Sequence, residues 1–317
     1  MMTHDSLIEA IPDALATADL IGFGEKQAGK VRDMYLLKDG SRALIATDRV
    51  SAFDVVLGTI PYKGQTLNQL SAWWFDHVKD IVSNHVISVP DPNVMIVRDA
   101  QPLPVEVIVR GYITGVTKTS LWTLYAAGER NPYGVSLPDG LQKNDELAAP
   151  IITPTTKAGQ GSHDERLSRK EIIENRLVNE ELWLEVERAA ISLFRRGQEV
   201  ARNAGLILVD TKYEFGLIDG KLAVIDEIHT PDSSRYWTRS SYKDDKSAPK
   251  NFDKEFLREW YVAHGYRGEG VPPRMPDATI AHVAERYIAA YEMLTGQVFQ
   301  PGTQPALARI QKSLGAT

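Results

Sequence analysis

Two Asp-Gly dipeptides, each set between runs of strand-forming residues, constrain this chain most. KVRDMYLL leads through Asp39-Gly40 into RALIATD, and GLILVDTKYEFGLI leads through Asp219-Gly220 into KLAVIDEI. Asp-Gly readily adopts the left-handed backbone of a two-residue turn, so both stretches are read as antiparallel hairpins. Helical patterns lie around them. Leu67, Leu70, Trp74 and Val78 recur at helical spacing within 64–84. Ser168 and Glu171 form a capping box that opens a helical pattern, interrupted near Asn179, up to Gly205. Behind a cap at Asp277, a further helix places Ile280, Val283, Ala284, Tyr287, Ile288 and Tyr291 on one face and stops at Gly296. Residues 5–18 read as a short leading helix, 128–165 as an extended loop and 229–254 as a polar stretch. Hairpins with helices interspersed imply an α+β fold and not a regular βαβ alternation. No GxGxxG follows a strand and no GxxxxGK[ST] occurs, so a dinucleotide fold and a P-loop have no support.

Composition narrows the function classes. The chain has no cysteine, which excludes disulfides, thiolate metal sites and thiol nucleophiles. With 36 Lys+Arg against 42 Asp+Glu, the formal charge of -6 argues against a nucleic-acid coat and leaves room for a local basic pocket. No apolar run approaches the roughly 20 residues of a membrane-spanning helix. The acidic start MMTHDSLIEAIPDALATADL lacks the basic and apolar regions of a secretory signal. The expectation is a cytoplasmic protein with neither nucleic acid nor membrane as partner.

Six segments carry chemistry. Gly29, Lys30 and Arg32 form a small turn with two cations at a strand start; it suits a polyphosphate, or is simply solvated. TDRVSAFD (47–54) gathers two acids, an Arg and hydroxyls where a buried strand exits, as caps and turns also do. Arg110 ends the apolar strand VEVIV, where it can meet an anionic ligand or a structural acid. In 205–216, strict alternation puts Leu206, Leu208, Asp210, Lys212 and Glu214 on one face. Three charges on a strand face require counter-ions, a metal or water. Acids at the end of the partner strand can complete an oxygen-rich Mg²⁺ site. A strict two-residue turn brings Glu227 onto the face of Glu214, and a bulged loop brings Asp226 there; the sequence leaves both open. Thr230–Arg235 (TPDSSR) suits a phosphate. The long loop adds TPTTK (153–157) and His163-Asp164-Glu165.

Together these segments resemble the SAICAR synthetase family of purine biosynthesis, from about residue 25 to about 295. The motifs that carry the resemblance are GKVRDMY (29–35), TDRVSAFD (47–54), LPVEVIVRGYITG (103–115), TPTTKAGQGSHDE (153–165), VDTKYEFG (209–216) and IDEIHTPDSSRYW (225–237). Where the family usually carries Ser after VRGYITG, this chain has Val116, with Thr117, Thr119 and Ser120 close by. The resemblance implies a two-lobed α+β fold. Residues 1–112 would form an ATP-binding lobe of antiparallel strands similar to those of kinases and ATP-grasp enzymes. Residues 113–317 would form a larger lobe with substrate and metal residues and the C-terminal helices. It implies a ligase that uses ATP and Mg²⁺ to join L-aspartate to the carboxylate of 5-amino-1-(5-phosphoribosyl)imidazole-4-carboxylate (CAIR), through an acyl phosphate. Gly29, Lys30 and Arg32 would cover the ATP phosphates. Glu214 and Asp226 would hold Mg²⁺, and Lys212 would face the transferring phosphoryl. Asp54, Arg110, Lys157, Asp164, Ser234 and Arg235 would bind substrate, with Arg235 on the 5′-phosphate. A kinase would share the Gly-Lys turn and the strand acids, but HRDxxxxN and DFG are both missing. A non-catalytic nucleotide-binding module would not need Arg110 and Arg235 beside the acids.

Overall fold

The second Asp-Gly turn forms as its residues dictate. In the computed structural model, which describes residues 2–53, 55–157, 165–252 and 254–315, Asp219 and Gly220 both have left-handed backbone (φ 52° and 74°). Ile218 pairs with Lys221 and Glu214 with Ile225, the strict two-residue register. The first hairpin is looser than expected. Leu36 pairs with Arg42, the Leu37 N–H donates to the Ser41 carbonyl at 2.8 Å, and the loop is the three residues 38–40. Gly40 supplies the left-handed position (φ 85°), and Asp39 Oδ1 accepts from the Ser41 hydroxyl (2.6 Å), which favours the longer loop.

Strands β1 (Lys26–Ala28), β2 (Arg32–Leu36) and β3 (Arg42–Ala46) begin a first sheet, while β4 (Arg49–Ala52) and β5 (Val55–Thr59) form a two-stranded sheet. After β6 (Ser83–Asn84), strands β7 (Val86–Asp91) and β8 (Val94–Val97) complete the first sheet in the order β1–β2–β3–β8–β7. The second sheet comprises β9 (Gln101–Tyr112), β10 (Glu146–Ile152), β11 (Thr155–Thr156), β12 (Leu206–Ile218), β13 (Lys221–Ile225) and β14 (Ser234–Thr238), with β6 at its margin. The strand 101–112, which the sequence reading puts at the end of the first lobe, pairs along β12 at the centre of this second sheet.

Strands β10, β11 and β14 were hidden from pattern reading. β10 and β11 lie inside the expected loop 128–165. The register of β10 against β9 slips between Glu146 and Ile151, and Pro150 interrupts it, so no alternation survives in its sequence. β14 lies inside the polar stretch 229–254 and is recruited by β12, not by its own apolar pattern. The leading helix is His4–Glu9 followed by a 3₁₀ turn at Ile11–Asp13, since Pro12 cannot continue an α-helix. The long helix reads as two: Arg169–Glu174 behind the Ser168/Glu171 capping box, and Glu180–Asn203 capped by the Asn179 side chain. Pro276, not Asp277, occupies the N-cap of helix Asp277–Thr295, and Asp277 is its first residue.

The core joins the elements. Helix Glu180–Asn203 buries Trp183, Val186, Ala190, Leu193 and Phe194 against β9 and β12. Helix Lys63–His77 buries Leu67, Leu70, Trp74 and Phe75 in the same core. Its start lies so close to β3 that a Cβ on Gly64 would come 2.3 Å from the Ala46 carbonyl oxygen, so only glycine fits there.

Candidate active site

A bulge in β12 resolves the conflict of leucines and charges on one face. The register of β12 against β14 slips between Leu208 and Asp210. Leu206 and Leu208 enter the main core, and beyond the slip it is Tyr213 and Phe215 that do so. Val209 joins a separate cluster with Tyr112 and Trp237. The alternation has changed phase, so Asp210, Lys212 and Glu214 leave the core together, which strict alternation did not anticipate.

Cross-strand pairing with β9 assembles that face. Arg110 lies opposite Asp210, Ile108 opposite Lys212 and Glu106 opposite Glu214. Arg110 Nη1 bonds Asp210 Oδ2 at 2.8 Å, and Arg110 Nε donates to Thr153 Oγ1 at 2.9 Å. Arg235, opposite Asp210 on the other side, lies 3.7 Å from the same carboxylate oxygen. Lys212 Nζ bridges Glu106 (2.7 Å) and Glu214 (2.8 Å), and Lys157 bonds the second oxygen of Glu214. Burial alone would drive Glu214 toward neutrality. Lys212 and Lys157 outweigh it and hold the carboxyl at about 2. Burial would likewise discharge Lys212, but Glu214, Glu106 and Asp226 keep its ammonium firmly protonated.

The edge of β12 is shared by two strands, and the site opens between them. β13 ends opposite Glu214 and β14 begins opposite Thr211, so residues 226–233 leave the sheet at Lys212. Asp226 has left-handed backbone (φ 67°), which turns it out of the ladder. The bulged register expected to bring Asp226 onto the face of Glu214 is therefore not the one formed; a left-handed residue does the turning instead. Asp226 and Glu227 both meet Arg32: Nη1 bonds Asp226, and Nη2 lies 2.8 Å from Glu227. Burial opposes the charge on Arg32, yet Asp226, Glu227 and Glu214 together raise its pKa. Glu227 is pushed up by burial, with Asp226 and Asp232 adding to the rise and Arg32 opposing it.

Arg32 comes from the first sheet. Gly29 N–H donates to the Arg32 carbonyl at 2.8 Å, making Gly29–Arg32 the tip of the β1–β2 hairpin. Arg49 anchors that tip by donating to the carbonyls of Gly29 (3.0 Å), Lys30 (3.0 Å) and Arg32 (3.1 Å) and to Asp33 (2.8 Å). The TDRVSAFD segment thus shapes the neighbouring turn through Arg49. Asp48 of that segment is buried and accepts backbone N–H groups of Leu15 (2.7 Å) and Gly64 (2.8 Å).

The 230–235 turn is fixed from below. Lys63, fully buried, bonds Asp232 Oδ2 at 2.7 Å, and the Tyr287 hydroxyl donates to Asp232 Oδ1 at 2.5 Å. Thr230 donates to Glu227 at 2.9 Å. Ser234, expected at the substrate, pairs its hydroxyl with Thr211 at 2.8 Å on the side away from Arg235. Ser120, a buried hydroxyl four residues after Val116, donates to the Thr117 carbonyl at 2.6 Å. Asp54, His163 and Asp164 lie outside the described residues. Glu106 and Lys63 escaped sequence reading. A lone acid in VEVIVR, two strand pairs from Arg110, was the available signal for Glu106; nothing in the local pattern marked Lys63.

Five carboxylates, Glu106, Asp210, Glu214, Asp226 and Glu227, and five cations, Arg32, Arg110, Lys157, Lys212 and Arg235, thus come together here, with contributions from both sheets. A family model described as SAICAR synthetase matches residues 25–275. The chain belongs to the SAICAR synthetase family. It is 49% identical over 311 residues to phosphoribosylaminoimidazole-succinocarboxamide synthase of Legionella pneumophila, covering 94% of this chain and 98% of that one. The same enzyme of Flavobacterium psychrophilum is 46% identical over 278 residues, 86% of this chain and 87% of that one. The SAICAR-synthase from Saccharomyces cerevisiae, solved in complex with SAICAR, superposes with a TM-score of 0.80 at 33% identity, over 91% of this chain and 100% of that one. The α+β fold is that of the SAICAR synthetases. The reaction of the family is the ATP-dependent ligation of L-aspartate to CAIR, a carboxylate–amine ligation of purine biosynthesis. Among the described residues, no helix is long and apolar enough to cross a membrane.

Proposed function

We propose that this chain performs the ligation on the charged face of β9 and β12, with ATP at the Gly29–Arg32 tip and CAIR toward Arg110 and Arg235. The observation that carries the reading is Arg32. It belongs to the hairpin tip of the first sheet, yet its guanidinium meets Asp226 and Glu227 of the second. A nucleotide bound by the tip therefore lies beside the acids and Lys212. Gly29 and Lys30 cover its phosphates, and Arg32 steadies the tip against the acids.

The carboxylate of CAIR attacks the γ-phosphorus, ADP leaves, and an acyl phosphate forms. The amine of aspartate then attacks the acyl carbon, phosphate departs with one former carboxylate oxygen, and the amine gives up a proton to become the amide nitrogen. Oxide is a poor leaving group and phosphate a good one, which is why ATP is consumed. Lys212 neutralises charge at the transferring phosphoryl. Glu106 and Glu214 hold its ammonium from two sides, so it is oriented before substrate arrives. Arg110 is set by Asp210 and Thr153. Asp54, Lys157, Asp164 and Ser234 take part in binding substrate; the Ser234 hydroxyl, bonded to Thr211 at 2.8 Å, keeps further hydrogen-bonding capacity.

The acids also fit Mg²⁺. Mg²⁺ is commonly held by one or two carboxylates together with phosphate oxygens, and Glu214 and Asp226 are carboxylates that already draw cations, Lys157 and Arg32. Bound there, Mg²⁺ supplies neutralising charge to the polyphosphate. The first sheet so provides the nucleotide tip and the second the metal residues together with Arg110 and Arg235, in a cytoplasmic enzyme working on small molecules.

Arg235→Lys tests the substrate half of this arrangement. A planar guanidinium matches a phosphate monoester bidentately and an ammonium does not. The KM for CAIR should rise about ten- to a hundredfold, the scale of one charge-assisted hydrogen bond, with the KM for ATP nearly unchanged. A defect confined to ATP would place Arg235 in the nucleotide half instead.

A further inference from the structure

The one described group of three metal-ligating side chains lies away from the cleft, where the first helix crosses the long C-terminal helix. His4 begins helix His4–Glu9, and His282 and Glu285 lie one turn apart on helix Asp277–Thr295. His4 Nδ1 is 2.8 Å from Glu285 Oε1, and His282 Nδ1 is 2.9 Å from Glu285 Oε2. One carboxylate thus gathers two imidazoles through its two oxygens, and all three donor atoms lie within 4.8 Å of one another.

Both supporting elements are held by the core. Leu7 of the first helix is fully buried, as are Ala281 and Ala284 beside His282 and Glu285. The imidazoles meet edge to face with centroids 6.1 Å apart, and the Phe256 ring, 6.3 Å away, backs His282. The three side chains are one-third to three-fifths exposed, so an ion reaches them directly from solvent. Two nitrogens and one carboxylate oxygen are a ligand set that suits zinc with water in the remaining position. A zinc ion about 2.1 Å from each donor needs them about 3.4 Å apart, which small rotations of surface side chains supply.

We infer that His4, His282 and Glu285 form a binding site for a zinc-class divalent transition ion that staples the first helix to the C-terminal helix. Nothing in the ligation reaction calls for this site. The site stands on three side chains that the reaction does not use, and its ion binds whether or not substrates are present. The staple acts on stability: the ion binds only when both helices are docked, so it favours the folded chain.

The test titrates the full chain with Zn²⁺ and separately with Co²⁺, whose visible spectrum reports nitrogen ligation, against His4→Ala, His282→Ala and Glu285→Gln. The intact chain should bind one equivalent and unfold at a higher temperature with the ion than without. Each substitution should weaken binding by at least the about 10–100-fold that loss of a ligand's outer partner costs, and abolish the thermal shift. His77→Ala, at an exposed histidine stacked on Trp73, should leave both unchanged. Undiminished ligase activity in each variant serves as the check on folding. Absence of binding overturns the inference. So does binding that survives all three substitutions, because the ion would then lie elsewhere, for instance among the acids of the cleft.

Discussion

Glu214→Gln should lower kcat by about a thousandfold, the scale of losing one preorganised charge-stabilising group, while the chain stays folded. Gln has the shape of Glu but offers one acceptor oxygen and an amide NH₂. Lys212 and Lys157 each take one oxygen of Glu214, so one ammonium would face a donor and turn away. Lys212 keeps Glu106 and stays in the cleft, but without its second anchor. The loss should fall on turnover more than on the KM for aspartate. Circular dichroism should match the unaltered enzyme. Turnover near normal would remove Glu214 from the site, and gross unfolding would show that its role is structural.

The parts of this face that the sequence revealed, and those it hid, differ for a physical reason. The second hairpin was legible because Asp219-Gly220 fixes its register locally. The charged triplet Asp210, Lys212 and Glu214 was legible because alternation holds from 210 onward. The bulge before Asp210 was not, since it is imposed by β14, a strand that itself has no pattern of its own. The arrival of Asp226 depends on one left-handed residue, and alternation carries no sign of that. The turn at Gly29 marks Arg32 as a phosphate cover; its reach to Asp226 is a contact across 194 residues of sequence, which no local pattern shows. Lys63 and Asp232 are likewise joined only by the packing of helix Lys63–His77 beneath the turn.

Acid should destabilise the fold well above the carboxylate range. Burial holds the imidazoles of His85 and His229 down from 6.5 to about 3, with Arg32 and Arg98 adding to the effect at His85. Among the described residues, His85 Nε2 and His229 Nδ1 are buried without a hydrogen-bond partner, so neither can take a proton cheaply. Below pH 6.5 the unfolded chain binds protons that the native histidines refuse. Their stabilising contribution is whole above that pH and drains away toward pH 3. Asp48 acts in the opposite sense. Burial raises it from 3.8 to about 6, outweighing the N–H groups of Gly64 and Leu15 that it accepts, so its protonation returns stability between those values. Each group in its window is worth about 1.4 kcal/mol per pH unit. The two histidines, each held far below 6.5, outweigh Asp48, and Glu227, likewise pushed up by burial, offsets part of the difference, which leaves a net loss on the order of a few kcal/mol as the pH falls from 7 to 4. That is a large part of an ordinary domain's stability. Glu214, held at about 2, adds to the loss below 4.5. Urea unfolding at pH 7, 6, 5 and 4 measures this directly. His85→Phe should lessen the loss between pH 6 and 4, leaving one histidine against Asp48 and Glu227. Stability that stays level or rises on acidification would show that these buried groups do not govern the pH response.

The route through an acyl phosphate, on which every role assigned along β9 and β12 depends, is tested most directly by following oxygen. CAIR labelled with ¹⁸O in its carboxylate is turned over with ATP, Mg²⁺ and aspartate, and the inorganic phosphate is analysed by mass spectrometry. The mechanism requires each phosphate released to carry one oxygen from the carboxylate, with no phosphate released when CAIR is omitted. Phosphate that emerges unlabelled would mean that water or the amine, and not the carboxylate, receives the phosphoryl group, and would contradict the placement of CAIR beside Lys212.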